Sequence, residues 1–142
     1  MSDEMICMCP PTDPDTLRQM SPVTLAFIGD AVFGLLVREH LIASGITKAG
    51  SLHRQAVTFV RASAQAESVE RLQSCLTPEE LNIIRRGRNA NTTHVPKNAN
   101  PIDYRIATGL EALFGYLYLA GSHARLREIF RALIENPASE TQ

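Results

Sequence analysis

Two stretches of this chain repeat one unusual frame. Ala26 to Gly34 reads AFIGDAVFG, and Ala107 to Gly115 reads ATGLEALFG. Each runs Ala, three residues, an acid, Ala, an aliphatic residue, Phe and Gly. On a helix the residues sharing a face lie three, four and seven positions apart. Around Asp30 these are Val23, Ala26, Phe27, Phe33, Gly34 and Val37; around Glu111 they are Tyr104, Ala107, Thr108, Phe114, Gly115 and Tyr118. Neither acid meets another charge on its own face. Each is preceded one turn earlier by Ala and followed one turn later by Gly, a residue that costs a helix about 1 kcal/mol relative to Ala. Paired small positions therefore predict close helix contact beside each acid.

The punctuation around these stretches is helical. Ser21-Pro22 offers an N-cap with proline at the first helical position, opening a helix to about Ser44, where Gly45 stops it. Further helices are predicted over about Ser51 to Val60 and Ala62 to Cys75. Thr77-Pro78-Glu79-Glu80 forms a capping box that starts a helix through about Arg86. Gly87 to Pro101, GRNANTTHVPKNANP, lacks apolar periodicity and reads as a loop, with Gly87 letting backbone approach a ligand. Pro101 opens a long helix to about Ala120, ended by Gly121, and Ser122 to Glu135 forms the last, with Leu126, Ile129, Phe130 and Leu133 at core spacing. No window alternates with period two. The expectation is an all-α domain of about six or seven helices over residues 13–136, between a disordered leader (1–12) and a disordered tail (137–142).

At 142 residues one domain with a sizeable core is expected. The net charge of -1 removes any argument from overall basicity, so a nucleic-acid surface would have to be local. Such a surface is visible. From Arg85 to Arg105, five basic residues (Arg85, Arg86, Arg88, Lys97 and Arg105) stand against one acid, Asp103. Asn89, Asn91, Thr92, Thr93, Asn98 and Asn100 add donors, and such mixtures bind phosphate backbones. The plain alternative is a solvated loop. Cys7, Cys9 and Cys75 are an odd set without a signal peptide, against a secreted disulfide framework. A cytoplasmic protein is expected, and no apolar run is long enough for a membrane span.

A carboxylate buried alone is strongly penalised, and two brought together repel. A divalent cation resolves both problems, and Mg²⁺ takes few protein carboxylates while keeping several waters. Asp30 and Glu111 thus form a candidate Mg²⁺ site between two core helices. Alternatively each accepts hydrogen bonds from an arginine or a cap elsewhere. A di-iron bundle would need Glu-x-x-His pairs, which none of His40, His53, His94 or His123 completes. A basic patch feeding a Mg²⁺ carboxylate site is the layout expected for phosphodiester hydrolysis.

At these residues the chain resembles the ribonuclease III family. FIGDAVF and EALFGYLYL are similar to its two catalytic signatures. SLHRQAVTFVRASAQAE, RRGRNA, PKN and YR-x-x-T-x-x-EALFGYL extend the likeness over most of residues 20 to 135. The match is nearest the short bacterial branch called Mini-ribonuclease III, which has no double-stranded-RNA-binding domain. Full-length family members place four carboxylates at each site. Here Val23, Ala26 and Thr108 stand at the other acid positions, leaving Asp30 and Glu111, with more water around one or two Mg²⁺.

The resemblance implies a dimeric, all-helical endonuclease whose two sites face a shared valley and cut opposite strands of an RNA duplex. Asp30 and Glu111 are implied as catalytic metal ligands, with 5′-phosphate and 3′-hydroxyl products. It also implies a substrate in the 23S (large-subunit) ribosomal RNA precursor, with a ribosomal protein assisting. Arg86, Arg88 and Asn89 are the first RNA contacts it implies, then Lys97 and Asn98, and then Ser63 and Gln65, a polar helix start that could equally be a cap. His53, Tyr104, Tyr118 and Glu67 read as packing or solvated positions. A non-catalytic, dimeric double-stranded-RNA-binding protein on the same scaffold is the competing expectation, and a purely structural helical protein a third.

Overall fold

The structure is a computed structural model that describes residues 8–90 and 95–135. Among these, seven α-helices and one short 3-10 turn follow in order, with no strand. They are α1 (Pro14–Gln19), α2 (Pro22–Ala43), α3 (Ala49–Val60), α4 (Ala62–Leu72), the turn Gln73–Cys75, α5 (Pro78–Arg88), α6 (Pro101–Leu119) and α7 (His123–Glu135). The all-α expectation is borne out. Cys7, Asn91, Thr92, Thr93, His94 and the predicted tail lie outside the described residues.

The helix starts follow the side chains that cap them. Ser21 accepts from the Val23 N–H, Thr77 and Glu80 exchange both bonds of a capping box, and Asn100 accepts from the N–H groups of Ile102 and Asp103. Gly45 and Gly121 follow α2 and α6 with φ of +98° and +79°, the left-handed backbone that glycine adopts at helix ends. The short α1 went unforeseen, although Asp13-Pro14 is itself a cap followed by proline, with Asp13 accepting from Thr16. Just before it, the Thr12 N–H donates to the Leu119 carbonyl at 2.7 Å and ties this segment to the end of α6.

Helix α6 is the hub, packed against α2, α4, α5 and α7. The phenylalanines of the two repeated frames meet in the core: Phe33 and Phe114 lie edge to face with centroids 5.2 Å apart, and Phe130 of α7 closes on Phe33 at 6.0 Å. The glycines that allow the helices to touch are not quite those expected. Gly115 serves as foreseen, since a Cβ there would stand 1.9 Å from the Leu25 carbonyl oxygen. Its counterpart on α2 is Gly29, not Gly34. A Cβ on Gly34 would meet only the flexible end of Arg38, whereas one on Gly29 would stand 1.7 Å from the Glu111 carbonyl oxygen.

A second correction concerns Gly87. It is not part of a flexible loop but a buried residue in the last turn of α5, where a Cβ would come within 2.7 Å of the Gly109 Cα. Glycine at this position lets α5 reach α6.

Candidate active site

Because the α2–α6 crossing runs through Gly29 and the Glu111 backbone, it brings the next residue of α2, Asp30, beside the Glu111 side chain. The two carboxyls of the repeated frame converge closely enough to share a hydrogen bond. Their surroundings differ. Asp30 is exposed, so the expectation of two enclosed acids holds only for Glu111, which is half-buried. Burial pushes the Glu111 carboxyl up to about 8, the Asp30 charge and hydrogen bond add to the rise, and an amide from Gln65 opposes it.

That amide corrects another expectation. Gln65 is 1% exposed, and its Nε2 donates to Glu111 Oε2 at 3.4 Å. Its amide is therefore turned inward to the carboxylate, away from the surface on which an RNA contact was expected. The alternative of an arginine partner for the acids finds no support, because the ion pairs among the described residues are Arg18–Asp15, Arg125–Glu80 and Arg125–Glu128.

These residues fit a hydrated hard cation. Among the described residues no group of three or more His, Cys, Asp or Glu side chains is placed to hold a metal, and Glu67 is exposed. Mg²⁺ needs no such cluster, because one or two carboxylates and several waters suffice. Two convergent carboxyls, one of them pushed toward its protonated form first by burial and then by its neighbour, are the donor set such an ion would relieve.

The other polar residues gather around two clefts. Ser63, at the exposed start of α4, lines one of about 580 Å³ with Lys97, Asn98, Asn100, Asp103 and Arg61. Arg61 was not foreseen as a contact. It stands at the junction of α3 and α4, and no side chain caps the α4 N-terminus there. Arg88 lines the second cleft, of about 330 Å³, with Arg85, Glu70 and apolar residues of α4, α5 and α6. Arg86 is half-buried near the end of α5, and exposed Asn89 is its C-terminal cap. Of the other positions, His53 is exposed, Tyr104 half-buried, and Tyr118 stacks on His123 with centroids 5.5 Å apart.

The ribonuclease III domain matches residues 23–122, a span that contains both repeated frames. The chain belongs to the ribonuclease III family. It is an endoribonuclease acting on double-stranded RNA, which sets aside the reading as a non-catalytic binder. It is 46% identical over 113 residues to the Mini-ribonuclease 3 of Symbiobacterium thermophilum, covering 80% of this chain and 87% of that one. It is 50% identical over 109 residues to the Mini-ribonuclease 3 of Brevibacillus brevis, covering 77% and 81%. The fold is similar to the crystal structure of a Fusobacterium nucleatum protein, with a TM-score of 0.75 and 29% identity over 83% of this chain and 96% of that one.

Among the described residues, no helix of this ribonuclease III family member is long and apolar enough to cross a membrane.

Proposed function

We propose that Asp30 and Glu111 are the catalytic pair of this endoribonuclease and together hold Mg²⁺. The observation that carries this reading is the convergence of the two carboxyls at the α2–α6 crossing, with no ion pair to either of them among the described residues. When bound, the cation supplies an activated water and neutralises charge at the scissile phosphate. The exposed Asp30 carboxylate is open to a hydrated ion, while half-buried Glu111 holds a fixed direction from the core. Hydrolysis in this arrangement leaves 5′-phosphate and 3′-hydroxyl ends.

Ser63, Arg61, Lys97 and Asn98 around one cleft, and Arg86, Arg88 and Asn89 at the end of α5, bind the duplex backbone. This set suits A-form RNA, whose shallow minor groove is read by shape and by phosphate and 2′-hydroxyl contacts. The enzyme acts in the cytoplasm as a homodimer. Phe27, 82% exposed, lies one turn from Asp30 on α2, with Val23 one turn further along, and a second copy of the chain covers that apolar stripe. Its substrate is the precursor of 23S ribosomal RNA, and a large-subunit ribosomal protein assists, in keeping with the Mini-ribonuclease 3 likeness.

The test is incubation of duplex RNA with the protein, with and without Mg²⁺, read at nucleotide resolution beside Asp30→Asn. Mg²⁺-dependent scission that Asp30→Asn abolishes, with helicity and assembly unchanged, is expected. Scission that survives in Asp30→Asn would remove the pair from the chemistry. Unprocessed 23S precursor ends in cells lacking the enzyme are expected as well, and mature ends there would redirect the search for its RNA.

A further inference from the structure

The inward face of α4 carries Ala66, Ser68, Val69 and Leu72, all buried, and among them stands one large polar side chain, Gln65. Taking an amide out of water without partners is costly, so a buried glutamine needs a reason in its surroundings. Here the surroundings are Glu111. The Gln65 amide donates to Oε2, crossing from α4 to the middle of α6.

We infer that Gln65 is a positioning residue for Glu111: by occupying Oε2 it leaves Oε1 as the oxygen offered to the cation beside Asp30. This rests on the metal reading above. A glutamine has properties for this role that other donors lack. It is neutral, so it orients the carboxylate without cancelling its charge, as an arginine or lysine would. Its two amide hydrogens cannot ligate a cation, so Oε2 is shielded from it. At 3.4 Å the bond is loose, enough to set a direction while letting the carboxylate adjust as ligands arrive. Groups that orient metal ligands in this way act on metal affinity more than on the fold.

Gln65→Met tests the inference, because it keeps the length and apolar body of the side chain and removes the amide. Gln65→Asn keeps the amide but draws it back by one methylene. The full chain without RNA is titrated with Mn²⁺ and read by electron paramagnetic resonance. Cleavage is then titrated against Mg²⁺ at saturating duplex, and against duplex at saturating Mg²⁺. Gln65→Met is expected to weaken Mn²⁺ binding and raise the half-saturating Mg²⁺ by about 10- to 100-fold, with the KM for duplex unchanged and Gln65→Asn intermediate. Mn²⁺ affinity equal to that of the unaltered chain would overturn the inference. So would a raised KM for duplex with metal binding intact, which would return Gln65 to RNA contact. Should Gln65→Met fail to fold, unchanged Mn²⁺ affinity in Gln65→Asn overturns it equally. If the unaltered chain and Asp30→Asn bind Mn²⁺ alike, the metal reading itself fails and the role of Gln65 falls with it. A loss confined to the Gln65 variants cannot arise that way.

Discussion

Gly29 and Glu111 are in backbone contact: a Cβ added to the glycine would lie 1.7 Å from the Glu111 carbonyl oxygen and 2.8 Å from the Gly115 nitrogen. This contact, more than either acid's own surroundings, decides that Asp30 and Glu111 share a site. Gly29→Ala is expected to force α2 away from α6, because the obstructing atoms are backbone and cannot rotate aside. Overpacking of this kind costs about 1–3 kcal/mol or more. Thermal melting should show the loss, and cleavage should fall further than melting alone accounts for. Full activity in Gly29→Ala would mean that the crossing tolerates separation.

The raised Glu111 pKa has a definite sign. Its folded value of about 8 lies above the 4.5 of the free side chain, so the folded chain without metal holds a proton there that the unfolded chain releases. This contribution to stability is complete below the unfolded value and is lost as pH rises through about 8. In EDTA the melting temperature should fall between about pH 6 and about pH 9 by more in the unaltered chain than in Glu111→Gln. Protons and cation compete for the same carboxyl, so Mg²⁺ affinity should climb with pH and level off above about 8. A pH-independent affinity would contradict the assignment.

Phe27→Asp places a charge in the apolar stripe beside Asp30. Sedimentation should find the unaltered chain dimeric and the variant monomeric. A variant that remains dimeric would move the interface away from α2.

Replacing Arg86 and Arg88 together by Ala should weaken duplex binding across sequences. For each arginine that no longer meets a phosphate, the slope of log affinity against log salt should shrink by about 1. Exposed Arg88 should contribute more than half-buried Arg86. An unchanged slope would take the end of α5 out of the interface.

Arg125 of α7 makes a bidentate pair with buried Glu80, at 2.8 and 2.7 Å, and also donates to the Cys75 carbonyl at 2.9 Å. The hydrogen bonds and charge of Arg125 hold the Glu80 carboxyl below its usual range despite burial. A depressed folded pKa gives stability that is present at neutral pH and lost as pH falls through the folded value. Arg125→Met should destabilise the chain by about 2–4 kcal/mol and flatten its acid unfolding limb, with metal affinity unchanged. Equal stability of the variant would show that this largely buried pair contributes nothing net.

Much of this was legible from neighbours along the chain. Ser21-Pro22 and the Thr77–Glu80 box each set a helix start through bonds spanning two or three residues, Pro101 marked a third start, and the paired frames pointed to Asp30 and Glu111. What went astray depended on which faces meet. Gly34 and Gly29 are both small residues on α2, but only Gly29 faces α6. Gly87 looked like loop because its reason for being glycine, Gly109, is 22 positions away along the chain. Gln65 belonged to a polar helix start, and nothing near it in sequence shows that its amide points inward at a carboxylate on another helix.

The sequence by itself determined the helices, their ends and the two acids worth watching, because caps, prolines and apolar periodicity act through local backbone geometry. Only the tertiary structure decided that one acid is open and the other enclosed, and that an amide stands behind the second. Burial and convergence arise when helix faces pack, so no single helix contains them.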